Sequence, residues 1–158
     1  MRKVVLFIAM SLDSYIADVN GGVAWLAGDG SDCQNAGSYP EFIETVDTIL
    51  WGYKTYHQVV AELTPGRWDY AGKQSYVFTH QDLPSTKEII FTSQDPAAFV
   101  QQLKAEPGKD IWLCGGASMI HQLLGHRLID KFCFNIIPTI LGGGVSLFQP
   151  QDTAMKFR

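Results

Sequence analysis

The sequence predicts one α/β domain over residues 1–158, with an open, largely parallel sheet that carries helices on both faces. The 158 residues match the usual size of a single domain. Segments with strand-like and helix-like patterns alternate along the whole chain, which is the order typical of α/β proteins. With 46% apolar and 18% charged residues, the chain can build a large core and does not resemble a disordered protein.

Strands are predicted from apolar runs that end at glycine or polar residues. The run at 4–9 is continuously apolar, as in a strand that is covered on both faces. Further strands are predicted at 14–17, 47–51, 74–78, 88–91, 110–114, 129–137 and 144–148. Helices are predicted at 39–46, 53–63, 96–104 and 117–124. The helix at 96–104 has Asp95 in the N-cap position and Pro96 in its first turn.

The net charge, the cysteines and the lengths of the apolar runs argue against several classes of function. The 12 Lys and Arg residues against 16 Asp and Glu residues leave a net charge of -4, which disfavours nucleic-acid binding. Cys33, Cys114 and Cys133 form no CxxC pair, so we expect no zinc site and a reducing, cytoplasmic compartment. No apolar run approaches the roughly 18 residues of a membrane span, and we expect no membrane contact.

Two glycines separate a predicted strand from a predicted helix near position 115. Gly115 and Gly116 are followed by Ala117, Ser118 and Met119 in the first helical turn. Free backbone N–H groups and the positive end of the helix dipole suit a pyrophosphate at such a junction. A tight strand-to-helix turn would use the same two glycines, and this alternative stays open.

Two other strand ends carry polar side chains. Gly52 is followed by Lys54 and Thr55 at the start of a predicted helix, and Thr79 and His80 follow another strand. Taken singly, each junction is also typical of packing or of a surface turn. The strand that ends before Thr79 has no acidic residue at its end to accept a ribose 2′-hydroxyl, as NAD-binding proteins require. Together these residues predict a 2′-phosphate, and hence NADPH rather than NADH.

A loop region rich in aromatic side chains is the candidate substrate pocket. Trp25, Tyr39 and Phe42 could line a pocket for a flat heterocycle, with packing in the core as the alternative. Asp13 lies just beyond the first strand. It either contacts substrate, as a candidate catalytic proton donor, or caps a turn.

Four stretches together resemble the dihydrofolate reductase-like superfamily. The branch they are most similar to contains the C-terminal reductase domain of riboflavin-biosynthesis deaminase/reductases and its stand-alone relatives. The stretches are 8–17, 47–56, 111–120 and 130–148. The resemblance implies a three-layer fold with a central mixed, mostly parallel sheet. It also implies an NADPH-dependent reductase of a pyrimidine or pterin-like heterocycle, most closely of the 5-amino-6-(5-phosphoribosylamino)uracil reductase type.

The resemblance also assigns residues. Ala9, Ile16 and Ala17 would face the nicotinamide end of the cofactor, and a cis peptide would join Gly115 to Gly116. Gly52, Lys54 and Thr55 would hold phosphate, and Thr79 and His80 would contact the adenosine side. Residues 115–119 would bind the pyrophosphate, and the three aromatic residues would border the substrate pocket.

The sequence departs from these relatives at several places. Phe42, with Glu41 beside it, stands where a dihydrofolate reductase has the acidic residue that assists pterin protonation, so folate reduction is only an alternative. We identify no site for the ribose phosphate of a riboflavin precursor, and the relatives' additional C-terminal strand has no counterpart before Arg158. A non-catalytic nucleotide-binding or dimerisation module is a further alternative. The apolar predicted strand at 129–137 favours a homodimer.

Overall fold

The structure, a computed structural model, describes residues 1–31 and 36–158. The strands in these ranges are β1 (Val4–Ser11), β2 (Tyr15–Ala17), β3 (Val46–Gly52), β4 (Gln74–Phe78), β5 (Ile89–Thr92), β6 (Asp110–Gly115), β7 (Lys131–Ile137) and β8 (Val145–Ser146). The α-helices are α1 (Tyr39–Glu44), α2 (Tyr53–Gln58), α3 (Pro96–Ala105) and α4 (Ala117–Gly125). A 3₁₀ turn covers Ala24–Ala27, and a π-helical turn (Val59–Leu63) continues α2. Every predicted element is present, with bounds shifted by a few residues.

Six strands form one sheet in the order β5-β4-β3-β6-β1-β7, and all of its pairings are parallel. Parallel neighbours need crossover connections, which here run through helices packed on the sheet, except that a loop at 79–88 connects β4 to β5. The strands β2 and β8 form a separate antiparallel pair. The predicted α/β fold with a mostly parallel sheet is confirmed, and the antiparallel pairing lies outside the large sheet.

The sheet separates two apolar cores. Along β1, Val4 and Leu6 point into one core while Val5 and Phe7 point into the other, because successive side chains of a strand face opposite sides. Helices α3 and α4 cover the first core, and α1 and α2 cover the second. Burying each such side chain contributes about 1.5–3 kcal/mol. The continuous apolar run at the start of the chain therefore marks a strand with helices on both faces.

The second core is rich in aromatic side chains; the indoles of Trp51 and Trp112 are hydrogen-bonded, whereas the buried Nε1–H of Trp68 has no partner among the described residues. Trp51 is fully buried and its Nε1–H donates to Ser75 Oγ at 3.1 Å. The indole of Trp112 donates to the carbonyl of Phe7 at 3.0 Å. These hydrogen bonds remove the cost of burying an indole N–H without a partner.

A buried arginine joins the amino-terminal ends of several strands. Arg2 is 7% exposed, forms an ion pair with Asp47, and donates to Thr48 Oγ1 and to the carbonyl of Lys109, each at 2.6 Å. Burial opposes ionisation of Asp47, but hydrogen bonds from Lys109 N and Thr48 and the charge of Arg2 outweigh it and lower its pKa. This cluster lies at the end of the sheet opposite to the cleft described below.

None of the helices in the described ranges has the length and hydropathy that crossing a membrane requires. Within the same ranges, His, Cys, Asp and Glu side chains form no group placed to hold a metal ion. Cys114 and Cys133 are free thiols, and Cys33 lies outside the described residues.

Candidate functional site

The carboxyl ends of the parallel strands open onto a cleft made of two adjoining cavities. The lateral cavity, of about 740 Å³, lies beyond β3, β4 and β5. The central cavity, of about 670 Å³, lies beyond β1 and β6. Both volumes are typical of ligand pockets. The residues that line both cavities, and so mark where the two adjoin, are Tyr53, Lys54, Thr55, Gly116, Ala117 and Val145.

All thirteen residues expected to contact a cofactor line this cleft. Those in the lateral cavity alone are Gly52, Thr79, His80, Ser118 and Met119. Those in the central cavity alone are Ala9, Ile16, Ala17 and Gly115. Those shared by both cavities are Lys54, Thr55, Gly116 and Ala117. The fold thus brings segments that are far apart in the chain to one edge of the sheet, as expected for an open α/β sheet.

Glycines allow the starts of α2 and α4 to approach each other. A Cβ on Gly52 would lie 3.2 Å from Gly116 N, and a Cβ on Gly116 would lie 3.1 Å from Thr55 Oγ1. The Gly115–Gly116 peptide is cis, as the family resemblance implies. The first-turn N–H groups of α4 have no side-chain cap and lie beside the passage between the cavities. Uncapped N–H groups at such a position can bind an anion.

The end of β5 completes the lateral cavity, and sequence reasoning missed it. Thr79 N donates to the carbonyl of Thr92 at 2.9 Å, which holds the ends of β4 and β5 together. Residues 92–96 line the cavity beside Thr79. Asp95 is among them and caps α3 as predicted, accepting from Ala98 N at 2.9 Å. The available signal was the parallel order of the strands, which places every carboxyl end at the same edge.

Small and apolar residues form the inner part of the central cavity. Ala9 follows the buried part of β1, and Ile16 and Ala17 belong to β2. A Cβ on Gly144 would lie 2.1 Å from Ala17 O, so only glycine lets the loop after β7 approach this closely. That approach brings Val145 to the cleft. The resulting apolar surface suits a flat ring.

The outer wall of the central cavity consists of the 20–26 loop, the last turn of α2 and the π turn. Gln58 Nε2 donates to Gly21 O at 2.9 Å, which ties the helix to the loop. The Asp18 carboxylate accepts from Gly22 N at 2.8 Å and shapes the loop. Sequence reasoning missed this wall because the apolar pattern at 53–63 is that of an ordinary α-helix. Residues 59–63 form a π turn. Such turns occur frequently at functional sites.

Asp13 contacts a neighbouring loop rather than the cleft. Its carboxylate accepts from Ser11 Oγ at 2.6 Å, from Leu141 N at 3.1 Å and from Gly142 N at 2.8 Å. The bond from Ser11 is the main reason why the pKa of Asp13 is lowered. Asp13 lines neither cavity. These contacts agree with the structural role and not with substrate contact. Asp13 holds the turn after β1 to the loop after β7.

The three predicted pocket aromatics lie outside both cavity linings. Phe42 is 9% exposed and stacks on Phe7 with a centroid separation of 4.2 Å. Tyr39 contacts the same ring at 6.2 Å, and its burial is the main reason why its pKa is raised. Trp25 packs at the rim, where its Nε1–H donates to Gly22 O at 3.3 Å. The structure thus places Tyr39 and Phe42 in core packing, which stabilises them more than exposure at a pocket would.

Cys114 is among the residues of the central cavity, and its side chain packs against the second core. Burial raises its pKa to about 12, so the thiol stays protonated near neutral pH. Nucleophilic catalysis by cysteine requires the thiolate. The cleft is therefore suited to binding and positioning and not to thiolate chemistry.

Known proteins resemble this chain in sequence. It is 37% identical over 158 residues to the uncharacterized protein YwjB of Bacillus subtilis (strain 168), covering 99% of this chain and 88% of that protein. It is 32% identical over 157 residues to the uncharacterized protein YyaP of the same strain, covering 93% of this chain and 80% of that protein.

Solved structures share the fold. A Shewanella sp. PV-4 protein assigned by name to riboflavin biosynthesis has a TM-score of 0.83 and 26% identity, with 100% of this chain and 89% of that chain covered. A Thermotoga maritima diaminohydroxyphosphoribosylaminopyrimidine deaminase/5-amino-6-(5-phosphoribosylamino)uracil reductase has a TM-score of 0.69 and 17% identity, with 98% and 51% covered. Enterococcus faecalis dihydrofolate reductase complexed with NADP(H) has a TM-score of 0.65 and 13% identity, with 95% and 79% covered.

The family assignment rests on nearly the whole chain. Residues 2–158 match the family model of the RibD C-terminal domain. The same residues form the six-stranded sheet, both cores and both cavities. The chain therefore belongs to the RibD C-terminal domain family.

Proposed function

We propose that this protein is an NADPH-dependent reductase of a pyrimidine-like heterocycle, with an activity like that of 5-amino-6-(5-phosphoribosylamino)uracil reductase. The observation that carries the proposal is the pair of adjoining cavities at the carboxyl edge of the sheet, which share the residues at the starts of α2 and α4. Such a cleft suits a dinucleotide with a second ligand at its inner end. Membership in the RibD C-terminal domain family supports the same reaction class.

The lateral cavity fits the phosphate and adenosine parts of the cofactor. Lys54 supplies a cation where both cavities meet, and the first turn of α4 supplies backbone donors beside it. A charge-assisted hydrogen bond to phosphate is stronger than a neutral one. Thr79 and His80 at the end of β4 would contact the 2′-phosphate side of the adenosine, and the Lys54 side chain, which lines the same cavity, would extend to the 2′-phosphate.

The inner part of the central cavity fits the nicotinamide. Ala9, Ile16 and Ala17 would hold the ring and keep water from it. When bound, NADPH would supply a hydride to C1′ of a ribosylamine, whose C1′–O4′ bond breaks while the ring oxygen takes a proton from solvent, which gives a ribitylamine. The substrate would then occupy the space between the nicotinamide and the outer wall of the central cavity.

Folate reduction is less well supported than pyrimidine reduction. Phe42 stands where the family resemblance places the acidic residue of dihydrofolate reductases, and its ring is buried in the second core. A buried phenyl ring cannot supply a proton to a pterin.

Two measurements test the proposal. We expect NADPH to raise the melting temperature more than NADH does, because only NADPH has a 2′-phosphate. We expect NADPH oxidation with 5-amino-6-(5-phosphoribosylamino)uracil or its dephosphorylated form, and little with dihydrofolate. Binding of NADPH without turnover of any of these compounds would instead support a non-catalytic nucleotide-binding module.

The homodimer stays a prediction, and the edge strand β7 supports it. In the described part of the chain, β7 pairs with β1 on one side only. Phe134 and Ile136 on this strand are 37% and 54% exposed, and Phe148 and Phe157 beside it are 41% and 61% exposed. Two copies could pair such edges around a two-fold axis. Sedimentation of the wild type and of the Phe134→Lys variant measures the oligomeric state. A monomeric wild type would contradict the predicted homodimer.

A further inference from the structure

We propose that Gln58 is a positioning residue for the substrate: its hydrogen bond to Gly21 holds the two segments of the outer wall together and so encloses a pyrimidine in the central cavity. This role rests on the proposed function and adds to it a residue that governs substrate affinity separately from cofactor affinity. Gln58 lines the central cavity and not the lateral cavity.

The outer wall consists of two segments from different parts of the chain. One is the 20–26 loop, and the other comprises the end of α2 and the π turn. Among the hydrogen bonds within residues 1–31 and 36–158, the one from Gln58 Nε2 to Gly21 O, at 2.9 Å, joins these segments. Leu26 on the first segment and Leu63 on the second are 39% and 51% exposed, so apolar packing joins the segments only in part.

Each segment has internal hydrogen bonds that hold its own shape. In the loop, the Asp18 carboxylate accepts from Asn20 N and from Gly22 N, each at 2.8 Å, and Asp18 N donates to Gly22 O at 2.9 Å. In the π turn, Thr64 N donates to Val59 O at 2.8 Å. Loss of the bond between the segments should therefore change their separation and not their internal structure.

The contact between the segments requires a donor on the side chain. A carbonyl oxygen only accepts hydrogen bonds, so the amide nitrogen of Gln58 faces Gly21. A ligand that binds only when the two segments are together loses affinity in proportion to the fraction of open protein. The usual contribution of one such hydrogen bond corresponds to about a two- to tenfold change in that affinity. The expected sites of the cofactor phosphates lie away from both segments, so NADPH affinity should change much less.

Two substitutions of similar side-chain length remove the donor. In Gln58→Met the side chain has no donor, and in Gln58→Glu an ionised carboxylate only accepts. Calorimetric titration of the NADP⁺-saturated protein with 5-amino-6-(5-phosphoribitylamino)uracil, the product of the proposed reaction, measures the effect without turnover. We expect both variants to bind this compound about two- to tenfold more weakly and to bind NADPH as the wild type does. The same two substitutions at Gln101, exposed on α3, are the matched controls and should change neither affinity.

The pH dependence separates this role from a general loss of structure. An unperturbed glutamic acid has a pKa of about 4.3, and its protonated form carries a donor again. As the pH falls from about 7 to about 4.5, the affinity of the Gln58→Glu variant should approach that of the wild type. The affinity of the Gln58→Met variant should stay reduced by a constant factor. A deficit in the Gln58→Glu variant that does not shrink as the pH falls would overturn the role of the hydrogen bond.

Amide hydrogen exchange in the ligand-free protein tests the connection between the segments by itself. Both Gln58 variants should exchange the amides of residues 20–23 faster than the wild type. Unchanged exchange, or unchanged affinity for the pyrimidine, would overturn the role of Gln58 and leave the reductase proposal standing. An equal loss of NADPH affinity would do the same. A wild type that binds no pyrimidine, while NADPH still raises the melting temperature, would overturn the proposed substrate and this role together.

Discussion

The lateral and central cavities are neighbouring parts of one cleft, yet the chain builds them differently. The lateral cavity consists mainly of strand ends, a glycine junction and backbone donors of α4. The outer wall of the central cavity consists of side chains on the 20–26 loop and the π turn. A backbone surface suits a ligand that always presents the same phosphates, whereas side chains can be exchanged without moving the sheet. Under the proposed function, substitutions in the two cavities should therefore affect cofactor binding and substrate choice separately.

The largest expected effect tests whether Phe42 belongs to the core or to the central cavity. Phe42→Ala removes a ring that stacks on Phe7 and should lower the free energy of unfolding by about 3–5 kcal/mol. Affinity for NADPH and the KM of the pyrimidine should stay unchanged at temperatures where the variant is folded. Denaturant unfolding and steady-state kinetics measure the two quantities. A raised KM with unchanged stability would place this ring in the substrate pocket.

The next effect concerns the passage between the cavities. Gly116→Val places carbon atoms against Thr55 Oγ1, which a Cβ already approaches to 3.1 Å, and should weaken NADPH and NADH binding about 100-fold. Gly125→Ala is the matched control in the same helix, because its Cβ would have nothing within 4 Å. Calorimetric titration gives both dissociation constants. Normal affinity in the Gly116 variant would remove this junction from the phosphate site.

A smaller effect distinguishes the two nucleotides in the lateral cavity. Lys54→Ala should weaken NADPH binding about 10- to 100-fold, since hydrogen bonds to charged groups contribute about 1.5–3 kcal/mol. NADH binding should weaken much less. Lys87→Ala, which lies at the opposite end of the sheet, should change neither. Equal losses for the two nucleotides would contradict a contact between Lys54 and the 2′-phosphate.

The smallest effect is expected at Asp13, outside both cavities. Asp13→Asn should lower the melting temperature slightly and leave turnover unchanged. The folded-state pKa of Asp13 is lowered, chiefly by the hydrogen bond from Ser11, so its stabilisation is present above its unfolded pKa and is lost as the pH falls through the folded value. The Asp13→Asn variant should therefore lose less stability than the wild type as the pH falls. A large fall in turnover with an unchanged KM would return Asp13 to the catalytic step.

Local patterns predicted the elements well, because each depends on neighbouring residues. The start of α3 follows from Asp95 and Pro96, and the continuous apolar run of β1 follows from burial on both faces. The same patterns could not separate Phe42 in the core from an aromatic residue in a pocket, since both occur near a helix start. They could not indicate that the π turn lines the central cavity either, because a π turn leaves no distinct spacing of apolar residues.

The sequence by itself determined the alternation of strands and helices and the polar residues and glycines at the strand ends. It did so because side-chain periodicity and the conformational freedom of glycine act over a few residues. Only the tertiary structure decided which segments line the cleft. These include the end of β5, the π turn and the 20–26 loop. A cavity wall is made of segments that are distant in the chain, and their relative positions depend on how the sheet, helices and loops pack together.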